Sequence, residues 1–130
     1  MADTVRNISY IMRGRETALD ILVTGRVASI SESLYGTLTE RHKVVASSDD
    51  IQNSVIGKKV IPFRYTPHEK GFEKLFHSYS FEAVLIFSQR PEEENDYYNE
   101  LQDLESILRL CASYDVKNVI YISSTSVYAG

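Results

Sequence analysis

Short apolar runs alternate with amphipathic stretches along most of this chain. "DILVTG" (20–25) is a β-branched run closed by glycine, the pattern of a fully buried strand. In "SISESLYGTLTERH" the residues Ile30, Leu34 and Leu38 stand four apart with polar residues between them, which predicts a helix with one apolar stripe. Its opening serines suit an N-cap. "KVVAS" (43–47) predicts a second strand, "SSDDIQNSVIGK" a loop with one helical turn at most, and "KVIPFRY" (59–65) a third strand. Pro62 removes one ladder donor and favours the sheet margin for that strand. "HEKGFEKLFHSYS" reads as a short helix weakened by Gly71, and "FEAVLIFS" (81–88) as the most strand-like segment. In "DYYNELQDLESILRLCASYD", Leu101, Leu104, Leu108 and Cys111 recur at spacings of three and four, predicting the longest helix and its apolar face. "KNVIYISS" (117–124) is the fifth strand, and "TSVYAG" follows it.

Strands alternating with helices imply an α/β fold, a Rossmann-like doubly wound parallel sheet of about five strands. Right-handed crossovers leave few topologies, and 3-2-1-4-5 is the expected strand order. Residues 1–19 form a leader and 20–130 the single domain, a size that leaves little room for a second core. Ligands of such sheets bind beyond the carboxyl ends of the strands, where strands one and four diverge. Residues 24–31, 48–50, 64–66, 87–90 and 123–128 are expected to line that crevice.

Composition narrows the function without naming it. With 43% hydrophobic and 25% charged residues, the chain is of ordinary globular type. A net charge of -4 supplies no basic field for phosphate backbones, so nucleic acid is not the expected partner. Cys111 has no second cysteine, which rules out a disulfide framework and a thiolate zinc site and suits a reducing, cytoplasmic compartment. No apolar stretch approaches the roughly eighteen residues of a membrane span, and the leader lacks an apolar signal-peptide core.

At "VIYISSTSVYAG" the chain resembles the NAD-dependent epimerase/dehydratase family, the extended short-chain dehydrogenase/reductases that modify nucleotide sugars. A helix, then "VKNVIYISS", then "SVYAG" follows that family's fifth strand ending in paired serines, with a Val-Tyr-Gly segment after it. The resemblance spans roughly residues 20 to 130 and implies an NAD or NADP cofactor and, in the full-length protein, a nucleotide-sugar substrate. It places Ser124, four residues before Tyr128, as the catalytic hydroxyl that donates to the reacting oxygen. Ser123, Thr125 or Ser126 can share that role, and serines at a strand end also serve simply to satisfy a turn. The family's acid/base tyrosine, with lysine four residues on, has no counterpart here, since none of the tyrosines with a residue at that distance has lysine there. The expectation is a chain that carries the front part of the enzyme and is not catalytically complete by itself.

Family members read Thr-Gly-x-x-Gly-x-Ile-Gly after strand one, where this chain has Thr24, Gly25, Arg26, Val27, Ala28, Ser29, Ile30 and Ser31. One glycine of three survives. Ala28 puts a methyl where the pyrophosphate presses nearest, whereas Ser31 is small enough to preserve helix packing. The resemblance therefore assigns Gly25, Arg26, Ala28, Ser29 and Ile30 to a weak or degenerate phosphate turn. Arg26 either meets phosphate oxygens through its guanidinium or is a solvated loop arginine. The ribose carboxylate expected at the end of strand two falls on Ser48, with Asp49 one residue on; Asp49 and Asp50 also read as turn formers. Arg64 and Tyr65 replace an aspartate after strand three, and Phe87, Ser88 and Gln89 replace Leu-Ala-Ala after strand four, narrowing the cofactor pockets.

A second reading is a degenerate Rossmann-like regulatory or structural module with weak or no nucleotide binding. A receiver-like signalling domain ranks behind both, because the acidic pair after strand one is missing. His42, His68 and His77 are scattered among polar residues and read as surface histidines, with no metal site. The family packs the long helix against a further helix, often in a dimer, so apolar surface around Leu101, Leu108 and the strand-five edge is expected to remain uncovered and to drive self-association.

Overall fold

The computed structural model describes residues 19–27, 30, 32–49, 51, 59–88 and 94–122. Five strands, β1 (Asp20–Gly25), β2 (Lys43–Ser47), β3 (Val60–Phe63), β4 (Phe81–Phe87) and β5 (Asn118–Ile122), form one sheet in the order β3-β2-β1-β4-β5. Every pairing is parallel, as the alternation of elements predicts. The helices are α1 (Glu32–Thr39), α2 (Lys70–Ser78) and α3 (Glu94–Ser113). None among the described residues is long and apolar enough to cross a membrane.

Because successive strand side chains point to opposite faces, β1 feeds two cores at once. Ile21 and Val23 join Leu34, Tyr35 and Leu38 of α1 on one face. Leu22 joins Phe72, Leu75 and Phe76 of α2 and Ile107 and Cys111 of α3 on the other. Ile21, Leu22 and Val23 have no exposed surface, and burying each such side chain is worth roughly 1.5–3 kcal/mol. Pro62 lies on the edge strand β3, opposite Ala46, where its missing N–H costs the ladder least.

Three details bear on the sequence reading. The buried stripe of α3 runs through Ile107 and Cys111, with Leu104 half-buried, whereas Leu101 and Leu108 are 49% and 46% exposed. Together with Val119 and Tyr121 of β5 they form exposed apolar surface, as expected around Leu101, Leu108 and the strand-five edge. The α3 helix ends where Asp115 takes a left-handed φ of 56° and the Val116 N–H reaches back to the Cys111 carbonyl at 2.9 Å. His42 is not a surface histidine, because its Nδ1 accepts the Leu19 N–H at 3.1 Å inside the fold. Burial, aided by the neighbouring Arg41 charge, holds its imidazole below the usual range. Gly71 does not break α2; a Cβ there would lie 2.3 Å from the Tyr65 ring, so the glycine lets that ring lie on the helix.

Candidate functional site at the strand ends

The crevice begins with Gly25. Its φ of 92° favours glycine, and an added Cβ would stand 2.0 Å from the Phe87 carbonyl oxygen. That close approach lets the Arg26 N–H donate to the same oxygen at 2.9 Å, tying the turn after β1 to the end of β4. On the β2 side the Thr24 hydroxyl donates to the Ser47 carbonyl at 2.9 Å, and the Ser48 hydroxyl donates to the Gly25 carbonyl at 2.6 Å. The buried Tyr35 hydroxyl reaches from α1 to the Val27 carbonyl at 3.2 Å. Hydroxyl groups thus brace the end of β1.

These strand ends enclose a cavity of about 200 Å³. Thr24 and Gly25 of β1, Ser48 and Asp49 beyond β2, and Ile86 and Phe87 of β4 line its floor. Thr66 and Pro67 form one lip, where the Thr66 N–H donates to the Glu69 carboxylate at 2.9 Å. Asn99, Glu100, Asp103, Leu104 and Ile107 of α3 make a wall, and Tyr121 of β5 closes it. Three of the described lining side chains, Asp49, Glu100 and Asp103, are carboxylates.

The carboxylates are held differently. Asp103 pairs with His68, joining α3 to the lip. Burial raises its pKa first, the His68 interaction opposes that, and the Asp49 and Glu100 charges add to the rise. Glu100 Oε1 accepts the Ser88 hydroxyl at 2.6 Å and the Tyr121 hydroxyl at 3.2 Å. Asp49 sits exposed at the rim, 3.5 Å from the Ser48 hydroxyl.

Of the residues singled out from sequence, Gly25, Asp49 and Phe87 meet in the cavity. Ser88 reaches it through Glu100, while its N–H donates to the Ile122 carbonyl at 2.9 Å. Arg26 is exposed beside the cavity without lining it. The Ile30 side chain is buried in the α1-side core. Ala28, Ser29 and Ser124 lie outside the described residues. The last described residue of β5, Ile122, pairs with Phe87, which in turn pairs with Gly25, so β5 ends on the same side of the sheet as the first turn. Sequence reasoning missed Asn99, Glu100 and Asp103. Their spacing of three to four puts them on one face of α3, a signal present in "NELQD".

The architecture is shared with solved enzymes. UDP-glucose 4-epimerase from Bifidobacterium longum, in complex with NAD+ and UDP, is similar at a TM-score of 0.64 and 19% identity over 84% of this chain. WbmG of Bordetella bronchiseptica, in complex with NAD, is similar at 0.63 and 13% over 82%. UDP-glucose-4-epimerase from Stenotrophomonas maltophila, with bound NAD and formylated UDP-arabinopyranose, is similar at 0.66 and 18% over 85%. The likeness is one of fold. This chain spans 38% of the length of each of these neighbours. No family model and no curated protein sequence matches it.

Proposed function

We propose that this chain carries the NAD-binding part of an epimerase/dehydratase-type oxidoreductase, the domain starting one residue before the expected boundary at 20 because Leu19 is buried in its core. One observation carries this reading: Gly25, Asp49 and Phe87, from three different strand ends, line a single cavity at the point where β1 and β4 diverge. The solved neighbours of the same fold hold NAD and uridine nucleotides at 13–19% identity, which supports the cofactor class. We assign the cavity of about 200 Å³ to the nucleoside portion of the dinucleotide. Asp49 at the rim is placed to accept the ribose hydroxyls, and its charge disfavours a 2′-phosphate there, which selects NAD over NADP.

Bound NAD supplies a hydride carrier. The chain's own part is to seat the nucleoside and, through the Ser124 hydroxyl beyond β5, to donate a hydrogen bond to the reacting oxygen of a nucleotide sugar. Turnover requires an acid/base group that this chain does not carry in the family's Tyr-x-x-x-Lys form. The exposed Leu101, Leu108, Val119 and Tyr121 support self-association through α3 and β5, and the single buried Cys111 fits a cytoplasmic protein.

A second reading, a regulatory or structural module with little nucleotide affinity, draws on the Arg26 N–H being committed to Phe87 and on the acidic lining of the cavity. Calorimetric titration with NAD and NADP separates the two. The proposal expects NAD binding with Kd below about 1 mM and NADP at least about tenfold weaker. Absence of heat with either nucleotide at millimolar concentration favours the module.

A further inference from the structure

We infer that His68 and Asp103 form a latch between the lip and the α3 wall of the cavity, a side-chain pair that parts each time a nucleoside enters or leaves. The inference rests on the nucleotide-binding reading above and adds how access to that site is controlled. Thr66 and Pro67 line the cavity from the lip, and Asn99, Asp103 and Ile107 line it from α3. His68 is the next residue on the lip, and its Nε2 meets Asp103 Oδ1, so one side-chain pair joins the two sides. The lip backbone is pinned on its own account. The Ser47 hydroxyl donates to the Tyr65 carbonyl at 2.7 Å, the Thr66 N–H donates to the Glu69 carboxylate, and the Glu69 N–H returns to the Thr66 carbonyl at 3.0 Å. Opening is therefore a matter of side-chain rotation, for which His68 and Asp103, 53% and 36% exposed, have room. The groups acting on Asp103 are His68 from the lip, Asp49 from beyond β2 and Glu100 on α3, while Glu69, the lip's acid, is held by the Thr66 N–H. Burial raises the Asp103 pKa, the two carboxylates add to the rise, and His68 opposes it, so the histidine charge is what favours the bridge. An ion pair this exposed is worth about a threefold factor in an equilibrium constant, enough to keep the latch closed most of the time and weak enough to open without unfolding. The pair is made with the cavity present behind it. A bridge that is intact before and after entry, and broken only in between, raises the barrier to passage and leaves the affinity where it was.

The test follows adenosine binding by NMR line shapes at about pH 6, where a histidine ordinarily carries charge, on the full chain and on His68→Gln. Adenosine is uncharged, so removing a charge does not change its attraction to the site. Among the described lining residues Asp103 is present and His68 is not, so this variant leaves what the ligand touches unchanged. In His68→Gln, kon and koff are each expected to rise about threefold while Kd moves less than about 1.5-fold. Raising salt toward about 1 M should speed both rates in the unaltered chain and leave those of His68→Gln level. A double-mutant cycle of His68→Gln and Asp103→Asn in urea unfolding needs no ligand, and it is expected to show a coupling of the same size, about threefold in the unfolding constant. Rates unmoved by His68→Gln, or a rise in koff alone with weaker binding, overturn the latch and leave the nucleotide reading standing. Absence of coupling in the cycle overturns it without reference to any ligand. If adenosine binds neither protein, the nucleoside assignment of the cavity falls, and this inference with it.

Discussion

Replacing Gly25 by alanine perturbs the contact on which the cavity floor is built. The residue sits at φ 92°, a left-handed conformation that costs an L-residue with a Cβ roughly 1–2 kcal/mol. The new methyl would lie 2.0 Å from the Phe87 oxygen and 2.9 Å from its carbonyl carbon, against an ordinary contact of 3.4–4 Å. Because the obstacle is backbone in the middle of a parallel sheet, relief requires the ends of β1 and β4 to part by more than an ångström. Parting also forfeits the Arg26 N–H bond to Phe87, a net loss of about 0.5–1.5 kcal/mol. Together these terms put the destabilisation at about 1.5–3.5 kcal/mol, a large share of the 5–15 kcal/mol typical of a domain. Urea unfolding followed by circular dichroism reads it as a midpoint lowered by about 1–2 M for a slope of about 2 kcal/mol/M. Gly36→Ala is the internal control, since a Cβ there meets nothing within 4 Å inside α1 and is expected to stabilise by about 0.5–1 kcal/mol. A Gly25→Ala loss under about 1 kcal/mol, or equal effects of the two substitutions, would refute this account of the strand ends.

Three other outcomes follow from the same structure. The depressed His42 pKa means that the unfolded chain takes up the proton first, so stability is level above about pH 6.5 and falls as the pH drops below it; His42→Leu is expected to flatten that limb and, by orphaning the Leu19 N–H, to cost about 1–3 kcal/mol at pH 7.5 in urea melts. Burial pushes the Cys111 thiol up to about 11, so iodoacetamide at pH 8.5 should label the native chain far more slowly than the urea-unfolded one, and stability should decline as pH rises from 9 toward 11; equal labelling rates would contradict the burial of Cys111. If the α3 and β5 surface drives association, sedimentation at high concentration should show oligomers that the double substitution Leu101→Lys, Leu108→Lys converts to monomer.

Strand and helix order was legible in the sequence because local periodicity encodes which side of an element is buried. β1 and β2 coincide with the predicted 20–25 and 43–47, and β3 lies on the margin that Pro62 indicated. Topology followed from the handedness of parallel crossovers, which leaves few arrangements once the order is known. Gly25 was legible as a turn glycine because a positive φ constrains residue type locally, whereas Asp49, which also lines the cavity, was singled out only by resemblance. Resemblance at both ends of the pattern supplied the expectation of NAD or NADP, which periodicity alone cannot.

Only the tertiary structure decided what faces the cavity across long sequence separations. Glu100 reads in isolation as one more solvated helix carboxylate, and Asp103 as another. They become the wall of a site because α3 packs over the β1 and β4 ends, bringing Ser88 and Tyr121 to Glu100, and His68 to Asp103. His42 likewise passed for a surface residue until the fold set Leu19 against it. Hydrophobic pattern determines which way a side chain faces, inward or outward; which charge meets which neighbour is set by packing between elements distant in the chain, and no local rule carries that information.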